Sequence, residues 1–280
     1  MSEALEIRGL TKTFPEFKLD GLDLTLPRGC IMGLVGENGA GKSTTIKLIL
    51  GLLRMEGGTV SILGRSGSAD VSVKEDIGVV LDEVGLPECL TVPQVDKIMA
   101  DTYKNWESDT YRRLIQRLEV PKNTEFGKLS RGNKMKLGIA MAMSHRARLL
   151  ILDEATSGLD PVVRDEVVDM IAEFTRDEDH AVLMSSHIVS DLEKICDYIA
   201  FLHKGKLLLC REKDELMSEY GIVRCTAREA DALDSAAILH RKDSAWGSEA
   251  IVRRSAIPED MTVSPITIEE LFIYMVKEAK

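Results

Sequence analysis

Short unbroken apolar runs, each about the length of a buried strand, recur along this chain and are separated by longer stretches with helical spacing. Cys30-Ile31-Met32-Gly33-Leu34-Val35 is such a run; a glycine-rich stretch follows, then Thr44–Leu52 with apolar residues at helical intervals. The order is strand, loop, helix. Ile77–Leu81, Leu149–Leu152, Ala181–Ser185 and Tyr198–Leu202 are further strand candidates. Between them, Leu90–Leu118 reads as helical stretches interrupted by Pro93, Asn105 and Asp109. Pro161–Phe174 reads as a helix capped by Asp160, and Ile188, Leu192 and Ile195 share one helical face. Strands alternating with helices predict a parallel sheet and an α/β fold.

The two ends of the chain break this rhythm. Glu3–Gly9 and Leu19–Leu26 mix β-favouring and apolar positions and close at Pro27-Arg28-Gly29, which predicts an N-terminal antiparallel β region. Beyond about residue 211 the pattern weakens until Ile266–Met275 restores an apolar period. The expected organisation is a main domain over 1–210, with a helical insert at about 83–145, and a small α+β appendage over 211–280.

Composition narrows the functions without choosing one. With 36 Lys and Arg against 46 Asp and Glu, the net charge of -10 disfavours a broad nucleic-acid surface. The five cysteines are scattered, odd in number and without a CxxC pair, which argues against disulfides or a zinc site and fits a reducing cytosol. The N-terminus lacks the pattern of a secretory signal, and no apolar run approaches the roughly 18 residues a membrane span needs, so a membrane role is expected to be peripheral.

The chemistry is concentrated in Gly36-Glu37-Asn38-Gly39-Ala40-Gly41-Lys42-Ser43, which fits GxxxxGK[ST] between a strand and a helix. Glycines let the backbone curl so that its N–H groups face phosphate oxygens, and the following helix adds the positive end of its dipole. Gly36, Asn38, Gly39, Gly41, Lys42, Ser43 and Thr44 are therefore candidates for holding a nucleotide. Lys42 would reach the β- and γ-phosphates, and Ser43 would offer its hydroxyl to Mg²⁺, which accepts oxygen ligands. Asp153 and Glu154 end the apolar run Leu149–Leu152, where α/β sheets place their ligand sites. Asp153 would hold the Mg²⁺ shell and Glu154 would polarise the attacking water. Acids after a strand are more often plain solvated loop residues; the phosphate loop upstream favours the functional reading.

Gly36–Ser43, Leu129-Ser130-Arg131-Gly132-Asn133, Asp153-Glu154, Ser157-Gly158-Leu159-Asp160 and His187 stand in the order of the motifs of ABC-transporter ATPases. Over roughly residues 1–210 the chain resembles that family. The resemblance implies a P-loop NTPase core that binds and hydrolyses ATP with Mg²⁺. Two such domains would pack head to tail as a homodimer or heterodimer, on the cytoplasmic face of the membrane, driving a separate membrane-spanning subunit; no nucleic acid is expected. It further implies that Ser130 and the amides around Gly132 face the γ-phosphate held by the other subunit. His187 would contact the γ-phosphate, and Asp160 would couple the two sites while also capping its helix. Phe14, with Phe17 as its rival, would stack on adenine. A plain helix cap at Ser130, a structural histidine and a core aromatic are the alternatives.

The match has departures. Asp82 stands where the family usually has a glutamine that touches Mg²⁺, so Asp82 either replaces that ligand or weakens coupling to the partner. Arg131 replaces a signature glycine, and Ala155 takes the place of a common proline. The wording around Ser130–Lys136, with Met143-Ser144-His145 and Ser185–Ile188, most resembles bacterial exporters of peptides and antibiotics. In those, the insert around residues 85–127 docks the membrane subunit, which makes Tyr103 and Trp106 candidate contacts. The alternatives are a soluble ABC-type ATPase acting on ribosomes or DNA, an unrelated P-loop kinase or GTPase, and a regulatory nucleotide-binding subunit with an impaired site.

Overall fold

The computed structural model describes residues 3–66, 70–258 and 260–279. These fall into two compact units, Met1–Leu209 and Cys210–Lys280. The first opens with β1 (Leu5–Thr13) and β2 (Lys18–Leu26), followed by β3 (Ile31–Gly36) and α1 (Lys42–Ile49). Next come β4 (Gly57–Ile62), β5 (Arg65–Ser66), β6 (Ile77–Val80) and the helices α2 (Val92–Thr102), α3 (Ser108–Arg117) and α4 (Arg131–Ala142). β7 (Leu149–Asp153), α5 (Pro161–Phe174), β8 (Ala181–Ser185), α6 (Val189–Ile195) and β9 (Tyr198–His203) complete its α/β core. β10 (Lys206–Glu212) runs through the boundary.

Two sheets build this unit. One has the order β2-β1-β4-β5 and is antiparallel; the other has the order β10-β9-β3-β8-β7-β6, with β9, β3, β8, β7 and β6 mutually parallel. Every residue of β3, β7 and β8 is buried, which is why these strands are continuous apolar runs rather than alternating ones. The strand order brings the carboxyl ends of β3, β7 and β8 side by side. In the β7–β8 register Asp153 lies opposite Ser185, and this pairing fixes the acidic end of the site.

The helical stretch differs in detail from the expectation. Pro93 and Asp109 lie in the first turns of α2 and α3 instead of interrupting them, because a first-turn proline gives up an N–H that has no helical partner. The break falls between Thr102 and Ser108. Thr91 and Gln94 form a reciprocal cap at α2, and Asp96 anchors α3 through the Trp106 indole at 2.9 Å, the Ser108 hydroxyl at 2.6 Å and Arg112. The apolar period predicts a helix from Thr44 to Leu52, whereas α1 runs from Lys42 to Ile49, since loop residues form its polar first turn.

The second unit contains α7 (Lys213–Glu219), β11 (Tyr220–Cys225), α8 (Ala227–Ala232), β12 (Ile238–Ser244), β13 (Gly247–Arg253), β14 (Val263–Ser264) and α9 (Ile268–Glu278). Its sheet has the order β12-β13-β11-β14. Val223, Ala250 and Val252 centre a small core, and α9 buries Leu271, Phe272 and Tyr274.

Candidate nucleotide site

The loop after β3 is shaped by close approaches that only glycine permits. Gly41 has φ of 111°, in the left-handed region, and a Cβ there would lie 2.7 Å from the Phe17 ring. At Gly36 a Cβ would lie 2.6 Å from the Leu202 carbonyl oxygen. α1 therefore starts with no side-chain cap, and its first-turn N–H groups have no carbonyl partner inside the helix. An open cavity of about 600 Å³ lies over this turn, lined by Phe14, Glu16, Phe17, Glu37, Asn38, Gly39, Gly41, Lys42, Ser43, Thr44, Asp82 and Glu154. Uncapped N–H groups and a lysine in one concave site suit an anion.

Lys42 is only 6% exposed, and its ammonium donates to the Gly36 carbonyl at 2.7 Å. The same ammonium is 3.8 Å from Glu154. Asp153, 2% exposed, accepts the Ser185 hydroxyl at 2.6 Å, and the Ser185 Oγ in turn accepts the Glu154 N–H at 3.2 Å. Ser185 thus links the two acids. Glu154 has φ of 55°, uncommon for a non-glycine residue, and its carboxylate accepts the His187 N–H at 3.2 Å and meets His187 Nδ1 at 2.5 Å. Backbone twist and side-chain contacts together aim one carboxylate between Lys42 and His187.

The rim of the site is looser. Phe14 and Phe17 have ring centroids 6.1 Å apart; Phe17 packs on Gly41, while the Lys12 ammonium sits 5.8 Å from the Phe14 ring. Ser130 caps α4 by accepting the Asn133 N–H at 3.3 Å. Asp160 caps α5, accepting the Val162 and Val163 N–H groups at 3.2 and 3.1 Å. Gly132 faces the Gly158 carbonyl, 3.4 Å from where its Cβ would be. Asp82 and Arg131, two of the three departures, form an ion pair at 2.6 Å. The structure thus brings Phe14, Gly36–Thr44, Asp82, Asp153, Glu154 and His187 to one region of the fold, and places Ser130, Gly132 and Asp160 at helix starts beside Arg131 and Gly158.

Residues 19–157 match the family described as ABC transporter. The uncharacterized ABC transporter ATP-binding protein YhcH of Bacillus subtilis (strain 168) is 30% identical, over 99% of this chain and 92% of its own length. The chain belongs to the ABC transporter family. The bacitracin transport ATP-binding protein BcrA of Bacillus licheniformis is 33% identical, over 74% of this chain and 69% of its own. A solved structure described as the ATP-binding subunit of an ABC transporter aligns with a TM-score of 0.69 at 29% identity, covering 76% of this chain and 91% of that one.

As an ABC-type ATPase and ATP-binding subunit, this chain follows the family's P-loop fold. Among the described residues no helix is long and apolar enough to cross a membrane. Tyr103 stacks on His145 with centroids 4.2 Å apart, and Trp106 is turned to Asp96, so both are half-buried parts of the insert's own packing. Two further residues support the ABC site without being among the candidate site residues. In the sequence Ser185 ends a strand candidate and opens Ser185–Ile188, and neither feature marks it as the link between the acids. His203, 4% exposed, meets Glu37 of the phosphate loop at 3.0 Å; it ends the observed strand, one residue past the candidate Tyr198–Leu202.

Proposed function

We propose that this subunit binds Mg-ATP in the cavity over Gly36–Thr44 and hydrolyses it with Glu154 as general base. The observation that carries the reading is the convergence of Lys42 and His187 on the Glu154 carboxylate at the mouth of that cavity. Lys42 leaves the Gly36 carbonyl for phosphate oxygens, the uncapped N–H groups of α1 meet the same anion, and Phe14 receives the base on its ring face. Ser43, Asp153 and Asp82 offer hard oxygen atoms, a donor set that fits Mg²⁺ rather than zinc. Bound there, Mg²⁺ would neutralise charge that develops on the phosphates. Glu154 takes the proton of the attacking water, and His187, held by that same carboxylate, faces the phosphoryl group.

Ser130, Gly132 and Asp160 take part across a dimer in this reading, with each signature segment closing the other subunit's site. The subunit works at the cytoplasmic face of the membrane, bound to a separate membrane-spanning protein. An apolar groove of about 290 Å³, lined in part by Leu50, Leu52, Ile62, Val79, Leu81 and Tyr103, supports this, because Leu52 is 58% exposed there. The likeness to the bacitracin transport protein supports export of peptide-like antibiotics as the task powered. The direct test is binding of a fluorescent ATP analogue in the presence of Mg²⁺. The wild type binds and Lys42→Ala binds about two orders of magnitude more weakly; equal binding by both would refute the site.

A further inference from the structure

Asp82 and Arg131 each depart from the family pattern, lie 49 residues apart, and meet as an ion pair of 2.6 Å. The pairing joins more than two residues. Arg131 is the first residue of α4, directly after the cap Ser130, and the aliphatic part of its side chain passes Gly158, 3.5 Å from the position of a Cβ there. The Arg131 side chain therefore runs past Gly158, in the loop after Glu154, and its guanidinium ends on Asp82, two residues beyond β6. Asp82 also lines the cavity that holds Lys42, Ser43 and Glu154. Its carboxylate therefore belongs both to the Arg131 pair and to the lining of that cavity.

We propose that Arg131 is a positioning residue that competes with Mg²⁺ for the Asp82 carboxylate, so that metal entry loosens the tie between the signature helix and the end of β6. The inference rests on the Mg-ATP reading above. It follows from valence and charge: a carboxylate neutralised by a 2.6 Å guanidinium is a weaker ligand for a second cation, and withdrawing the guanidinium restores it. The pair is exposed, at 62% and 51% of the two side chains, so the competition is modest and salt-sensitive.

The test titrates Mg²⁺ against binding of a fluorescent ATP analogue by the purified full chain, which needs no turnover. Arg131→Ala lowers the Mg²⁺ midpoint roughly two- to fivefold, the range expected for one exposed pair. In an Asp82→Asn background the same substitution leaves the midpoint where it is. Arg131→Lys falls between, because a single ammonium lacks the planar fork. A shift of equal size with and without Asp82, or no shift with Asp82 present, overturns the competition while the Mg-ATP site stands. Binding as tight in Lys42→Ala as in the wild type overturns the site itself, and the pair's role with it.

Discussion

The two groups of loops around the nucleotide cavity are made differently. On the β3–β7–β8 side, Lys42, Asp153 and Ser185 are 6%, 2% and 0% exposed, and each is held by a hydrogen bond within the sheet layer. On the signature side, Asp82 and Arg131 hold each other in the open at a contact that solvent and salt can reach. The buried side is preorganised by the parallel sheet and has little freedom to vary. The exposed side is tied by one ion pair, and there a single substitution can release the contact without opening the core.

The comparison sets the scale of the expected effects. Glu154→Gln lowers ATP turnover by about 10²–10⁴-fold, the usual range for a removed general base, read from phosphate release. Lys42→Ala weakens ATP by about two orders of magnitude, as loss of charge-assisted bonds implies, read by calorimetry. Gly41→Ala forces a left-handed backbone on alanine, costing about 1–2 kcal/mol before the Phe17 ring moves; thermal unfolding measures it. At the small end stands Arg131→Ala, with its two- to fivefold shift in Mg²⁺ midpoint. A mutational scan in which Arg131 outweighs Lys42 would break the contrast.

The insert offers a separate handle. Burial raises the Asp96 pKa, but the hydrogen bonds from Ser108 and Trp106 and the charge of Arg112 outweigh it and hold it below the usual aspartate value. A lowered folded pKa contributes stability above the unfolded pKa that is lost as pH falls through the folded value. The α2–α3 pair therefore loosens in acid beyond the ordinary aspartate range, and Asp96→Asn removes that step. Tryptophan fluorescence against pH, followed at Trp106 in a Trp246→Phe background, checks both.

Much of the buried side was legible because its information is local. Gly36–Ser43 is contiguous, and Leu149–Leu152 and Ala181–Ser185 are unbroken because both faces of the sheet are covered. The Asp82–Arg131 contact was invisible for the opposite reason: each residue was conspicuous alone, yet nothing in a linear reading joins positions 49 apart. The second unit was faint because its edge strand is polar, β12 carrying His240, Arg241, Lys242 and Asp243 in succession. Two short strands of the N-terminal sheet, β4 and β5, went unread; Gly57-Gly58 and exposed polar positions mask their alternation.

The most direct measurement is steady-state ATP hydrolysis by the wild type beside Glu154→Gln, with light scattering on the same samples. The account predicts turnover in the wild type, none above background in the mutant, and a dimer that forms in the mutant only when Mg-ATP is added. Undiminished turnover in Glu154→Gln, or a mutant that stays monomeric with Mg-ATP bound, would contradict it.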